Sequence, residues 1–226
     1  IVDENGTFRG FTMPEIDTRS ASRLENILTR DGREIERLSN SYLARVLLAT
    51  RLAGLMAELH QLRHFMVDLK PENIMFYRDT WIIAILDVDG FSINGPRRYF
   101  AGQWTDEYLA PEGFGKSVEE LGLEQDLFAL AVLVFQLLND GIHPYQGVNV
   151  DPQIKASAIA DRIKASLYAY GLVERADIAP KPSSIHDYFE DDTRRLFDRA
   201  FQAGSPRPTA AEWRDHLKQL IETKRL

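Results

Sequence analysis

The sequence predicts a mainly helical α+β fold, and three observations carry that expectation. Leu48, Leu52, Leu55 and Leu59 recur at i, i+4, i+7 and i+11, one face of a helix. From Leu127 to Leu138 every residue except Gln136 is apolar, the pattern of a helix buried all round. Between them, Ile74–Tyr77 and Trp81–Leu86 are short β-rich runs separated by Arg78-Asp79-Thr80, which predicts a hairpin.

Taken in chain order, residues 1–16 are expected to form short extended segments about an Asn5-Gly6 turn. Residues 17–40 are polar and charged, and read as loop plus a modest helix. The leucine face predicts a helix from Leu43 to His60, and the hairpin follows. Residues 90–123 are rich in Gly, Pro and polar groups, so a long irregular segment is expected; such loops are often functional. The apolar run after it is 12 residues long, too short for a bilayer, which needs ~20. Further on, Ile159, Ile163 and Leu167 mark one helical face, and Leu196, Ala200 and Phe201 another. In the last helix Thr209 and Glu212 match a capping box, with Trp213, Leu217, Leu220 and Ile221 facing inward.

With 226 residues the chain can bury a full core. Its net charge of -7 gives no support for binding a polyanion, so no nucleic acid partner is expected. The absence of cysteine rules out disulfides, thiolate metal sites and a Cys nucleophile, and suits a reducing cytoplasm. IVDENGTFRGF lacks the basic flank and apolar run of a signal peptide, and no membrane partner is expected. It also lacks a starting Met, so a trimmed piece of a longer protein is expected.

The chemistry concentrates in HFMVDLKPENIMF, residues 64–76. Asp68, Lys70 and Asn73 precede one predicted strand and Asp87 ends the next. If those strands pair, Asn73 and Asp87 meet at one end of the hairpin, where an amide oxygen and a carboxylate can hold magnesium. Asp68 can then accept a proton and Lys70 can neutralise charge on a transferring group. Positioning and charge stabilisation are most of what phosphoryl transfer asks of a protein. The bland alternative for Asp68, Lys70 and Asn73 is a solvated turn with local side-chain hydrogen bonds.

These residues carry a resemblance. DLKPEN resembles the catalytic loop of Ser/Thr protein kinases, and ILDVDGF the strand that ends in their metal-binding Asp-Phe-Gly. TDEYLAPE at 105–112 resembles the end of an activation segment, here about 87–112, anchored by Ala110-Pro111-Glu112. Asp126 opens the apolar helix as an Asp does in that family, His143-Pro144-Tyr145 is similar to its His-Pro-Phe, and Arg207 matches its late Arg. The ordered matches run from about residue 11 to the end.

The resemblance implies a eukaryotic-like, bacterial-type Ser/Thr kinase that uses ATP and Mg2+ on a protein substrate. Asp68 would be the catalytic base and Lys70 the phosphate-contacting lysine. Asn73 and Asp87 would bind metal, with Asp89 joining or replacing Asp87. Thr105 would contact the catalytic Asp and help shape the peptide surface. Glu112 and Arg207 would form a buried structural pair, with Asp126 a further scaffold residue. GFTMPEI at 10–16 resembles the strand and hinge that hold adenine, with Met13 facing the base and Glu15 and Ile16 offering backbone groups. Residues 1–16 would then be a remnant of the amino-terminal lobe and 17–226 the carboxy-terminal lobe.

Three departures qualify this picture. Met66-Val67 replaces the usual His-Arg, leaving no arginine there for an activation-loop phosphate. Asp87-Val88-Asp89 replaces Asp-Phe-Gly. The glycine-rich loop, strand lysine and helix glutamate of a kinase belong upstream of the hinge, where this sequence begins. The chain alone is therefore expected to be inactive without an amino-terminal lobe or upstream domain. The alternatives are a weak or inactive kinase-like scaffold that binds a nucleotide or partner, and a small-molecule phosphotransferase. The Lys70 context, the Ala-Pro-Glu anchor and Arg207 favour a protein substrate.

His60 and His64 have the i, i+4 spacing of a zinc pair, but Gln61 stands where a metalloprotease has Glu. Arg97 and Arg98 read as a solvated loop able to engage an acidic group, and residues 148–158 as a surface insertion.

Overall fold

In the computed structural model, which describes residues 4–7 and 15–223, one helix runs through the centre. That helix, α3 (Leu123–Leu138), is buried at every position from Gln125 to Leu138. Its all-round apolarity is satisfied because other elements cover each side. The preceding elements are β1 (Ala21–Arg23), α1 (Arg30–Ile35), α2 (Tyr42–Gln61), β2 (Ile74–Tyr77) and β3 (Ile83–Ile85). Those that follow are β4 (Gly147–Asn149), α4 (Ile159–Lys164), β5 (Ile178–Pro180), α5 (Asp191–Phe201) and α6 (Ala210–Thr223).

Helix α2 packs against both α3 and α6, and this shifts its buried face from the one the leucines suggest. Val46, Leu48, Ala49, Leu52, Ala53, Met56 and Ala57 are buried, while Leu55 and Leu59 are half-buried. Two partners demand a wide stripe, and small residues at 49, 53 and 57 fit a close approach. At α6 the reciprocal capping bonds form: Glu212 N donates to Thr209 Oγ1 at 3.1 Å, and Thr209 N to Glu212 Oε2 at 2.8 Å. Trp213, Leu217 and Leu220 face inward. Trp213 packs on Phe197, whose ring lies 4.9 Å from Phe135 of α3. Each such buried apolar side chain contributes roughly 1.5–3 kcal/mol.

Strands β2 and β3 are antiparallel, with Ile74 opposite Ile85. The second strand is shorter than its apolar run because Trp81 takes a φ of 58° and stacks on Phe76, ring centroids 5.7 Å apart. A third strand, β1, pairs with the outer side of β2. The insertion at 148–158 begins in β4, which pairs with β5. Arg162 of α4 ties it down by donating to Tyr145 O at 2.6 Å and to Asn149 Oδ1 at 2.7 Å.

The segment 90–123 holds three short 3-10 turns, Asp106–Tyr108, Pro111–Gly113 and Val118–Glu120. It also forms isolated bridges, Phe65 to Ser92 and Ile93 to Tyr99. The Asn5-Gly6 turn is described, with Gly6 at φ 75°. Among the described residues, no helix is long and apolar enough to cross a membrane.

Candidate active site

Between Met66 and Lys70 the chain closes one tight turn of its own, Asp68 N to Met66 O at 2.6 Å, and further bonds from outside fix its shape. The amino-terminal end of α3 supplies them. Asp126, fully buried, accepts Met66 N through Oδ2 and Val67 N through Oδ1, both at 2.8 Å. His60 Nε2 lies 3.1 Å from the same Oδ2. The adjacent Gln125 spends its whole amide: Nε2 donates to Val67 O at 3.2 Å and Tyr108 O at 2.9 Å, while Oε1 accepts Ala110 N at 2.9 Å. These bonds hold Val67 at φ 57°, a left-handed conformation that costs a β-branched residue energy and needs such support.

The turn at Val67 delivers Asp68, only 2% exposed, to the centre of a small polar net. Thr105 Oγ1 donates to Asp68 Oδ1 at 2.8 Å and accepts from Lys70 Nζ at 2.9 Å. Lys70 Nζ also lies 2.7 Å from Asp68 Oδ2. Pro71 opens the 3-10 turn Pro71–Asn73, suited by its fixed φ to a first helical position. At the end of that turn Asn73 Nδ2 donates to Asp68 O at 3.1 Å, so the amide oxygen is turned the other way.

Leu86 N donates to Asn73 O at 2.8 Å, which extends the β2–β3 ladder by one rung. Asp87 is the next residue, exposed and left-handed at φ 55° and ψ 49°. Asp68, Lys70, Asn73, Thr105 and Asp87 thus gather at one end of the hairpin. The side chain of Asp89 and all of Met13 lie outside the described residues. Glu15 and Ile16 are in irregular chain before β1 and, among the described residues, make no polar contact with this group.

Farther out, Arg207 forks onto Glu112, with Nη2 to Oε2 at 2.8 Å and a second bond from Nη1 to Oε1. Nη1 also reaches Glu124 at 3.2 Å. Burial is the largest single influence on Glu112 and raises its pKa, but the Arg207 hydrogen bond, a backbone hydrogen bond and the charges of Arg207 and Lys116 together leave the carboxyl below its ordinary value. The pair is less buried than expected: the Arg207 side chain is 14% exposed but that of Glu112 is 42%. The reason is that Arg207 lies over the Phe128 ring while Glu112 faces outward.

The two histidines do not form a helical pair, because α2 ends at Gln61 and His64 lies beyond it. His60 is turned to Asp126, and His64 Nδ1 accepts Asn94 N at 3.2 Å. Sequence reasoning also passed over Gln125, whose only signal was a polar residue beside Asp126 at the start of an apolar run. His143 is buried beneath the same segment, with Nε2 3.0 Å from Glu107 O and Nδ1 accepting Tyr145 N at 3.2 Å. Burial pushes its imidazole down to about 3.

Comparison with known proteins is consistent in direction. The family model described as the protein kinase domain matches residues 16–219. The chain is similar to the protein kinase YegI of Escherichia coli strain K12, 28% identical over 187 residues, which cover 77% of this chain and 28% of that protein. Similarity to the protein kinase YegI of Escherichia coli O157:H7 is 29% over 175 residues, 74% of this chain and 27% of that protein. The chain therefore spans less than a third of the length of the curated relatives it matches.

Proposed function

The chain belongs to the protein kinase family, and from that premise we propose that it supplies the catalytic lobe of a Ser/Thr protein kinase. Residues 17–226 form that lobe in this reading. One observation carries the proposal: the buried Asp68 carboxylate is held by Thr105 and Lys70 beside the hairpin end that bears Asn73 and Asp87.

Asp68 accepts the proton of a Ser or Thr hydroxyl as its oxygen bonds to the γ-phosphorus and the bridge to ADP breaks. Lys70 balances the charge of the transferring phosphoryl group, and Thr105 keeps the Asp68 carboxylate in one orientation. The free oxygen of Asn73 and the carboxylate of Asp87 are hard donors that suit magnesium, with Asp89 as a further acid. When bound, that ion neutralises charge on the ATP phosphates. A Lys two residues after the base and the Glu112–Arg207 anchor favour a protein substrate. The lack of cysteine supports a cytoplasmic location.

The test uses the full-length protein, ATP, magnesium and a peptide acceptor. Asp68→Asn is expected to lower transfer by roughly 10²–10⁴-fold, the usual contribution of a general base, with nucleotide affinity nearly unchanged. Asp87→Asn is expected to weaken magnesium-dependent nucleotide binding instead. Full activity in both variants would end the assignment. Nucleotide binding without transfer by the unaltered protein would favour the scaffold alternative.

A further inference from the structure

A cavity of about 410 Å³ opens where the end of α2 meets the 90–99 segment, lined by His60, Arg63, Phe65, Asn94, Arg98 and Leu123. None of these side chains is acidic. Arg63 and Arg98 are exposed and, among the described residues, neither has a carboxylate partner; the same holds for the neighbouring Arg97. In a chain with 34 acidic residues against 27 basic ones, two arginines share the lining of one cavity with no acidic side chain. Arg98 is steadied by the Phe100 ring, 4.9 Å from its guanidinium carbon, a contact that leaves its N–H fork free.

The walls are formed in advance. Phe65 and Ser92 exchange two backbone hydrogen bonds, at 2.9 and 2.8 Å, and Asn94 N is fixed on His64. Two guanidinium groups and the apolar side chains of Phe65 and Leu123 in one cavity lining suit a short side chain that ends in an oxyanion. The nearby segment cannot supply one itself: residues 93–104 contain no Asp, Glu, Ser or Thr. Phe65 stands three residues before Asp68, a separation of at most about 11 Å. An extended peptide covers about three residues over that distance.

We propose that this cavity receives an acidic side chain of the protein substrate, carboxylate or phosphate, about three residues from the acceptor hydroxyl. The placement relative to the acceptor rests on Asp68 being the base; the cavity's preference for an oxyanion does not.

The experiment measures binding and phosphorylation of Ser peptides by the full-length protein, with Asp, phosphoserine or Lys scanned across the flanking positions. Peptides with Ala at the acceptor position read binding alone, by fluorescence anisotropy. An acidic residue at the preferred position is expected to bind at least about tenfold more tightly than Lys, the scale of one or two charged hydrogen bonds. The combined Arg63→Ala and Arg98→Ala variant should lose that preference, and Arg63→Glu with Arg98→Glu should reverse it, with an unchanged thermal midpoint. A phosphoserine advantage over Asp beyond about tenfold assigns the pocket to phosphorylated substrates; equal affinity assigns it to carboxylates. No acidic preference, or one that survives both double variants, overturns the proposal. Arginine-dependent acidic binding without any transfer would sustain the cavity and remove Asp68 as base. Transfer without acidic preference would do the reverse.

Discussion

The two ends of α3 use the same physics for different purposes. At the carboxy-terminal end, Arg45 donates to Leu137 O at 3.2 Å and Leu138 O at 3.3 Å, closing carbonyls that the helix leaves unpaired. Asn139 Oδ1 accepts Ile185 N at 2.9 Å and Ser184 Oγ at 3.0 Å, and Arg33 pairs with Asp140. At the amino-terminal end, Gln125 and Asp126 reach across to backbone groups about sixty positions earlier in the chain, in the strained turn before Asp68. One end finishes a helix; the other shapes a loop that carries the candidate base, without touching Asp68 itself.

The comparison breaks most visibly at Asp126. Asp126→Ala leaves Met66 N and Val67 N buried without acceptors, at about 1–3 kcal/mol each, so a loss of about 2–6 kcal/mol is expected in urea unfolding. A change below 1 kcal/mol would mean that the loop shapes itself. Arg45→Met at the opposite end should cost less, about 1–3 kcal/mol, because each α3 carbonyl it caps retains a second lone pair. If the full-length protein transfers phosphate as proposed, its activity per folded molecule should not change in that variant. If activity falls beyond the folded fraction, the division of labour between the two ends is wrong.

The buried His143 adds a pH dependence on the segment side. Its folded pKa, about 3, lies below the ordinary value of about 6.5, so the unfolded chain binds the proton more readily. The stability from this group is complete above about pH 6.5 and is lost as pH falls toward 3, by up to about 1.4 kcal/mol per pH unit. Burial shifts His186 in the same direction. His143→Gln should flatten the slope of unfolding free energy between pH 7 and 5, read by denaturant titration; an unchanged slope would contradict the assignment.

How much of this was legible in the sequence follows from how local each cause is. The apolar run of α3, the β2–β3 pair and the capping box at Thr209 are written in periodicity and short-range chemistry. The residues around Asp68 stand in one short polar stretch between apolar runs, and the family itself was legible, since the protein kinase domain model matches 16–219. The buried face of α2 was misread because its leucines do not encode that two helices cover it. Strands β1, β4 and β5 went unread because each has three residues and exists only by pairing with a distant partner. Gln125 escaped for the same reason: its significance lies in three backbone groups at 67, 108 and 110.

The most direct test of the α3 account is hydrogen exchange on Gln125→Met, which keeps the side chain's bulk and removes its three hydrogen bonds. Amides at 65–73 and 105–112 should exchange about tenfold faster, equivalent to about 1.4 kcal/mol of lost local protection, while 133–145 keep their rates. Equal acceleration at both ends of α3, or none near Asp68, would contradict the claim that this helix end sets the loop that carries Asp68.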